Sequence, residues 1–66
     1  MNAKPFKCDL VTSLLPQVGG VLFAAREDDG RNVRTAPIVG VRLLADGRYE
    51  IETLNSVYRV RRVKAQ

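Results

Sequence analysis

The chain contains no histidine and no tryptophan, a single cysteine (Cys8), and only two Phe and two Tyr. Without histidine, the usual base that activates a Ser or Cys nucleophile is missing, and no imidazole is present to hold a metal. One cysteine forms no intramolecular disulfide and builds no zinc site, so neither of the common staples of small domains is offered within the chain. Alternating with polar neighbours, Cys8 reads as a small buried hydrophobe, and a lone thiol fits a reducing cytoplasm. No stretch approaches the roughly 20 apolar residues of a membrane helix. The longest apolar run, Val18 to Ala25, is short and contains Gly19 and Gly20. The N-terminal MNAKPFKCDL has two lysines but no apolar segment behind them, which argues against a secretory leader. These absences predict a cytoplasmic protein that is not an enzyme, with no cofactor, no metal and no membrane contact.

What remains is aliphatic and basic. Sixty-six residues make one domain, 1–66, with 1–5 as a loose lead-in. A chain this short buries only about 60% of its unfolded surface. Its core must come from Val, Leu, Ile and Ala, so a homodimer or a tight partner is a natural supplement. Eleven Lys and Arg stand against seven Asp and Glu, a net charge of +4. Beyond Lys7 every cation is arginine except Lys64. Guanidinium forks match phosphate and carboxylate oxygens in pairs, which points to nucleic acid or an acidic protein as partner.

Short apolar runs and turn signals alternate along the chain. Phe6, Cys8 and Leu10 alternate with Lys7 and Asp9, predicting a strand over 6–11, while Leu10, Leu14 and Leu15 also fit one helical turn before Pro16. Gly19-Gly20 reads as a flexible turn or bulge, since no Gly-Lys-Ser/Thr follows to make a phosphate loop. VLFAAR (21–26) predicts a buried strand, Glu27-Asp28-Asp29-Gly30 a hairpin turn, and Asn32 to Thr35 its return. Pro37 marks an edge, a bulge or a corner between sheets. Ile38 to Leu44 is the most apolar strand, with Gly40 as a bend or a close approach. Ala45-Asp46-Gly47-Arg48 is a second hairpin turn, Tyr49 to Thr53 alternates clearly, Leu54-Asn55-Ser56 turns again, and Val57 to Val63 closes the chain. About five strands with turns every 8 to 12 residues predict an all-β fold. The expected form is a small five-stranded barrel bent at Pro37 and Gly40, or a strongly bent β-meander. An N-terminal helix over one face is the alternative.

The succession IVGVRLL, ADG, RYEIET, LNS, VYRVRRV resembles the second half of SH3-like small barrels. Within that group, the plasmid-borne type B dihydrofolate reductases share an Ile-Val-Gly strand start and a Ser-Val before the last strand. Their Val-Gln-Ile-Tyr signature is replaced here by Val57-Tyr58-Arg59-Val60, so the resemblance implies the fold and not the reductase. Thr35-Ala36-Pro37-Ile38 and Thr53-Leu54-Asn55-Ser56-Val57-Tyr58 are similar to a pattern of small phage and plasmid proteins. That likeness implies a mobile-element origin.

Function concentrates at Arg59, Arg61, Arg62 and Lys64, four cations within six residues. Arg34, Arg42 and Arg48 extend this patch if the strands lie side by side. If Arg42, Arg48 and Arg59 instead pair with Glu50 or Glu52, the free field shrinks to the C-terminal cluster. The competing reading of the cluster is charge protection of an edge strand. Tyr49 and Tyr58 are expected in the core and not on a base-stacking platform. Glu27, Asp28 and Asp29 form an acidic tip, either a solvated turn or an acidic contact loop that mimics phosphate.

Three functions follow as expectations. The first is a nucleic-acid binding module whose Arg-rich last strand contacts phosphates. The second is a phage- or mobile-element-encoded inhibitor or adaptor on a host polymerase or defence complex, marked by an exposed apolar patch beside the arginines. The third is a small symmetric oligomer with a ligand site at its interface.

Overall fold

Gly30 and Gly47, each with a positive φ (72° and 89°), close the two Asp-Gly turns that organise the molecule. Asn and Asp at such turns cap their own backbone. Here Asp29 Oδ1 accepts from the Arg31 N–H and Asp46 Oδ1 from the Arg48 N–H, both at 2.9 Å. A computed structural model of the chain describes residues 4–64. Its strands are β1 (Phe6–Thr12), β2 (Phe23–Arg26), β3 (Asn32–Arg34), β4 (Ile38–Leu43), β5 (Tyr49–Thr53) and β6 (Val57–Arg62).

The strands form one six-stranded open sheet in the order β3-β2-β1-β6-β5-β4. All neighbours are antiparallel except β1 and β6, which run parallel. The fold is all-β as expected, but the five-stranded barrel is not what forms. The strand expected over 6–11 forms as β1 and runs one residue further, to Thr12, and the described residues contain no helix. Val11 and Thr12 are held in that strand by pairing with Arg61 and Arg62, which outweighs the helical spacing of Leu10, Leu14 and Leu15. The open ends are β3 and β4, so the charge-protected edge expected at the last strand is corrected too. β6 is interior, bonded on both sides.

Pro37 does make a corner. The chain leaves β3 at Thr35 and begins β4, paired with β5, at Ile38, whose N–H donates to the Gly20 carbonyl while its own carbonyl accepts from Gly19 N–H, both at 2.8 Å. Gly40 follows a bulge at Val39 and does not mark a close approach, since an added Cβ would stand 3.6 Å from a Glu52 carboxylate oxygen. The lead-in is corrected in part. Pro5 carbonyl accepts from Val57 N–H, and Lys4 Nζ donates to Thr53 carbonyl and pairs with Glu52. Residues 1–3 of that lead-in lie outside the described residues.

Leu10, Leu22, Ile38, Ile51, Tyr58 and Val60 form the core, with Cys8, Ala24, Val33, Val41 and Tyr49 packed around it. Among the described residues the buried polar ones are Thr12, Thr35 and Thr53, and each hydroxyl closes a turn or corner. Thr12 donates to the Phe23 carbonyl and accepts from Leu14 N–H. Thr53 exchanges bonds with Ser56 across the β5–β6 turn. Thr35 accepts from the buried Leu22 N–H at 2.9 Å. Thr35→Val keeps the shape but orphans that donor, so urea unfolding is expected to show a loss of about 1–3 kcal/mol.

Burial pushes the Tyr58 hydroxyl above its ordinary pKa of 10.0, with the negative charge of the nearby Cys8 thiolate adding to the shift. An acid whose folded pKa is raised stabilises the fold below its unfolded value and loses that contribution as pH rises through the folded value. The melting midpoint is therefore expected to fall as pH climbs past 10.0, and less so in Tyr58→Phe. Equal alkaline slopes in the two proteins would contradict this burial.

Candidate binding surfaces

Strand alternation places Arg59 and Arg61 on the outer face of β6, away from the core beneath Tyr58 and Val60. Both are engaged there. Arg59 Nε reaches Asp9 Oδ1 at 3.2 Å, and its guanidinium lies over the Phe6 ring at 4.5 Å. Arg48 reaches the same Asp9 oxygen at 3.3 Å, and Arg61 reaches Glu27 at 3.5 Å. Arg42 pairs with Glu50 across the β4–β5 ladder at 2.9 Å. The predicted pairing with Glu50 and Glu52 thus holds for Arg42 only; Arg48 and Arg59 turn to Asp9. That aspartate was missed because its nearness to both depends on the parallel β1–β6 pairing, which no local signal announces.

The acidic tip serves its own hairpin. Arg26 makes a two-point contact with Asp28, at 3.3 and 3.1 Å, and reaches Asp29 at 3.7 Å. The Arg26 guanidinium donating to Asp28 holds that carboxyl below the usual carboxylate range. Each of the chain's seven acids has a cation within 4.0 Å. Such exposed pairs are worth only about 0–1 kcal/mol each, but together they neutralise the outer face of β1, β6, β5 and β4.

Among the described residues, Lys7, Arg31, Arg34, Arg62 and Lys64 have no carboxylate partner. Arg62 and Lys64 border a polar notch with Gly47, Tyr49 and Val63 at one end of the sheet. Arg34 lies on the edge strand β3, at the opposite extreme of the strand order from Arg42. The seven predicted basic residues are therefore not one patch.

A second surface was not foreseen in detail. On the outer side of β1, β2 and β3 lies an open depression of about 690 Å³, lined by Val11, Leu14, Phe23 and Ala25 and rimmed by Asn32 and Arg34. Phe23 is 58% exposed and Leu14 48%. VLFAAR reads as a strand buried on both faces, but only Leu22 and Ala24 turn toward the core, which leaves Val21 and Phe23 facing out. Exposed apolar clusters rimmed by polar groups mark interaction sites more often than scattered apolar residues do.

Comparison with protein-family models, with curated proteins and with solved structures finds no match to this chain.

Proposed function

We propose that the protein is a non-enzymatic protein-binding module that acts as an adaptor or inhibitor through the outer face of β1, β2 and β3. The observation that carries this reading is the depression around Phe23, an exposed aromatic beside an arginine without a carboxylate partner. Buried aromatics flanked by arginine are the usual anchors of protein interfaces. The nucleic-acid reading draws less support, because Arg59 and Arg61 already face Asp9 and Glu27. The remaining cations are scattered over β1 (Lys7), the β2–β3 hairpin (Arg31, Arg34) and the end of β6 (Arg62, Lys64). Kinship with SH3-like small barrels belongs to the same proposal, supported by the Pro37 corner and the two bonds joining Ile38 to Gly19 and Gly20.

Two probes test the proposal side by side: a displayed random-peptide library, and labelled random-sequence duplex and single-stranded oligonucleotides. Peptides are expected to be enriched on the wild-type chain and not on Phe23→Ser. Oligonucleotide binding, if seen at low salt, is expected to be unaffected by that substitution and weak. Tight duplex binding whose logarithm falls with log salt at a slope near −3 would mark three or four phosphate contacts. With no peptides enriched, that outcome would establish the nucleic-acid reading instead.

A further inference from the structure

The free edge of the sheet at β3 adjoins the depression, and its backbone is set up to receive another strand. Antiparallel ladders alternate residues that bond to the neighbour with residues whose N–H and C=O point away from it. Arg26 N–H donates to Arg31 carbonyl, and Thr35 N–H donates to Leu22 carbonyl, each flanking the β2–β3 register of Ala24 opposite Val33. Counting in steps of two, Arg31, Val33 and Thr35 face β2. Asn32 and Arg34 therefore direct their N–H and C=O groups outward, and no other partner for them occurs among the described residues.

Their side chains lie on the outer face with Phe23 and Ala25, which stand directly opposite them across the β2–β3 ladder. A strand added here gains main-chain bonds from Asn32 and Arg34 and lays alternate side chains beside Phe23. The other open edge, β4, also has outward groups, but the depression bordering it holds the paired Arg42 and Glu50 together with Glu52. That edge exposes Val39 and Leu43 but has no cation left over and no exposed aromatic.

We infer that the partner contributes an extended, acidic-apolar segment that adds to the sheet as a strand along β3, its apolar side chains over Phe23 and a carboxylate on Arg34. Charge complementarity assigns the segment to a partner protein, since Arg34 has no carboxylate partner while each acid of this chain lies within 4.0 Å of one of its own cations. Strand addition takes its affinity from main-chain bonds and its specificity from alternate side chains. This inference rests on the docking reading above and makes it more specific.

Amide hydrogen exchange on the full chain tests it, with peptides drawn from the displayed random library as the probe. Unbonded in the free chain, the Asn32 and Arg34 amides are expected to exchange fast and to slow at least tenfold on peptide addition. The Val33 amide, already bonded to β2, is expected to change little. Enriched peptides are expected to carry Asp or Glu among β-branched residues, and Arg34→Glu to shift the enrichment to Lys and Arg. Asn32→Pro, which deletes one outward donor at an edge where proline is tolerated, is expected to weaken binding. Peptides that bind and depend on Phe23 but leave the Asn32 and Arg34 amides unprotected would overturn strand addition while the docking face stands. A library yielding nothing above the Phe23→Ser background would overturn both.

Discussion

Ile51→Ala is expected to unfold much of the protein under conditions where the wild type is folded. Ile51 is fully buried in β5, opposite Val41 on one side and Tyr58 on the other. Truncating a buried isoleucine to alanine costs about 2–5 kcal/mol, part transfer and part cavity. A domain of this length holds only about 3–10 kcal/mol in total. The six buried apolar side chains leave few neighbours able to collapse into the space. The thermal midpoint is expected to drop by more than about 10 °C, since each kcal/mol moves a domain this small by roughly 4–8 °C. Ile51→Val, which removes one methylene, is expected to stay folded at a cost of about 0.5–1.5 kcal/mol. A melt of Ile51→Ala within a few degrees of wild type would show that the core lies elsewhere.

Phe23→Ser is expected to do the reverse: to leave the melt nearly unchanged and remove partner binding. The ring is more than half exposed and its strand is held by backbone bonds to β1 and β3, so the folded chain loses little packing. Surface substitutions of this kind usually fall within about 0.5 kcal/mol. Binding is different, because an aromatic at the centre of a desolvated patch commonly carries about 2 kcal/mol or more, which is a loss of thirtyfold or greater. Titration of library-derived peptides into the two proteins measures it. Arg61→Ala serves as the contrast, since Arg61 faces Glu27 and is expected to change the same affinity only slightly.

The elements differ in how far the sequence announced them. Asp29-Gly30 and Asp46-Gly47 are local signals whose positive-φ glycines leave few alternatives, and both hairpins stand where expected. Tyr49 to Thr53 alternates cleanly because one face is core and the other carries Glu50 and Glu52. Pro37 likewise spoke for itself, having no N–H to give a ladder. What stayed hidden was non-local. The parallel pairing of β1 with β6 joins residues some fifty positions apart, and neither strand's pattern shows it. That pairing makes β6 interior, gives Asp9 to Arg48 and Arg59, and divides the arginines that looked like one patch. The depression was hidden for a related reason. Phe23 sits in a continuous apolar run, and such a run does not say which of its residues lack a covering layer until the sheet is known to be open on that side.

The most direct measurement maps library-derived peptides and a random duplex oligonucleotide onto the labelled chain by backbone and side-chain chemical-shift changes. Peptide-induced shifts are expected to concentrate at Val11, Leu14, Phe23, Ala25 and Asn32–Arg34, with little change at Arg62 or Lys64. Shifts confined to Arg59–Lys64, produced by the oligonucleotide and leaving Phe23 unmoved, would contradict the account.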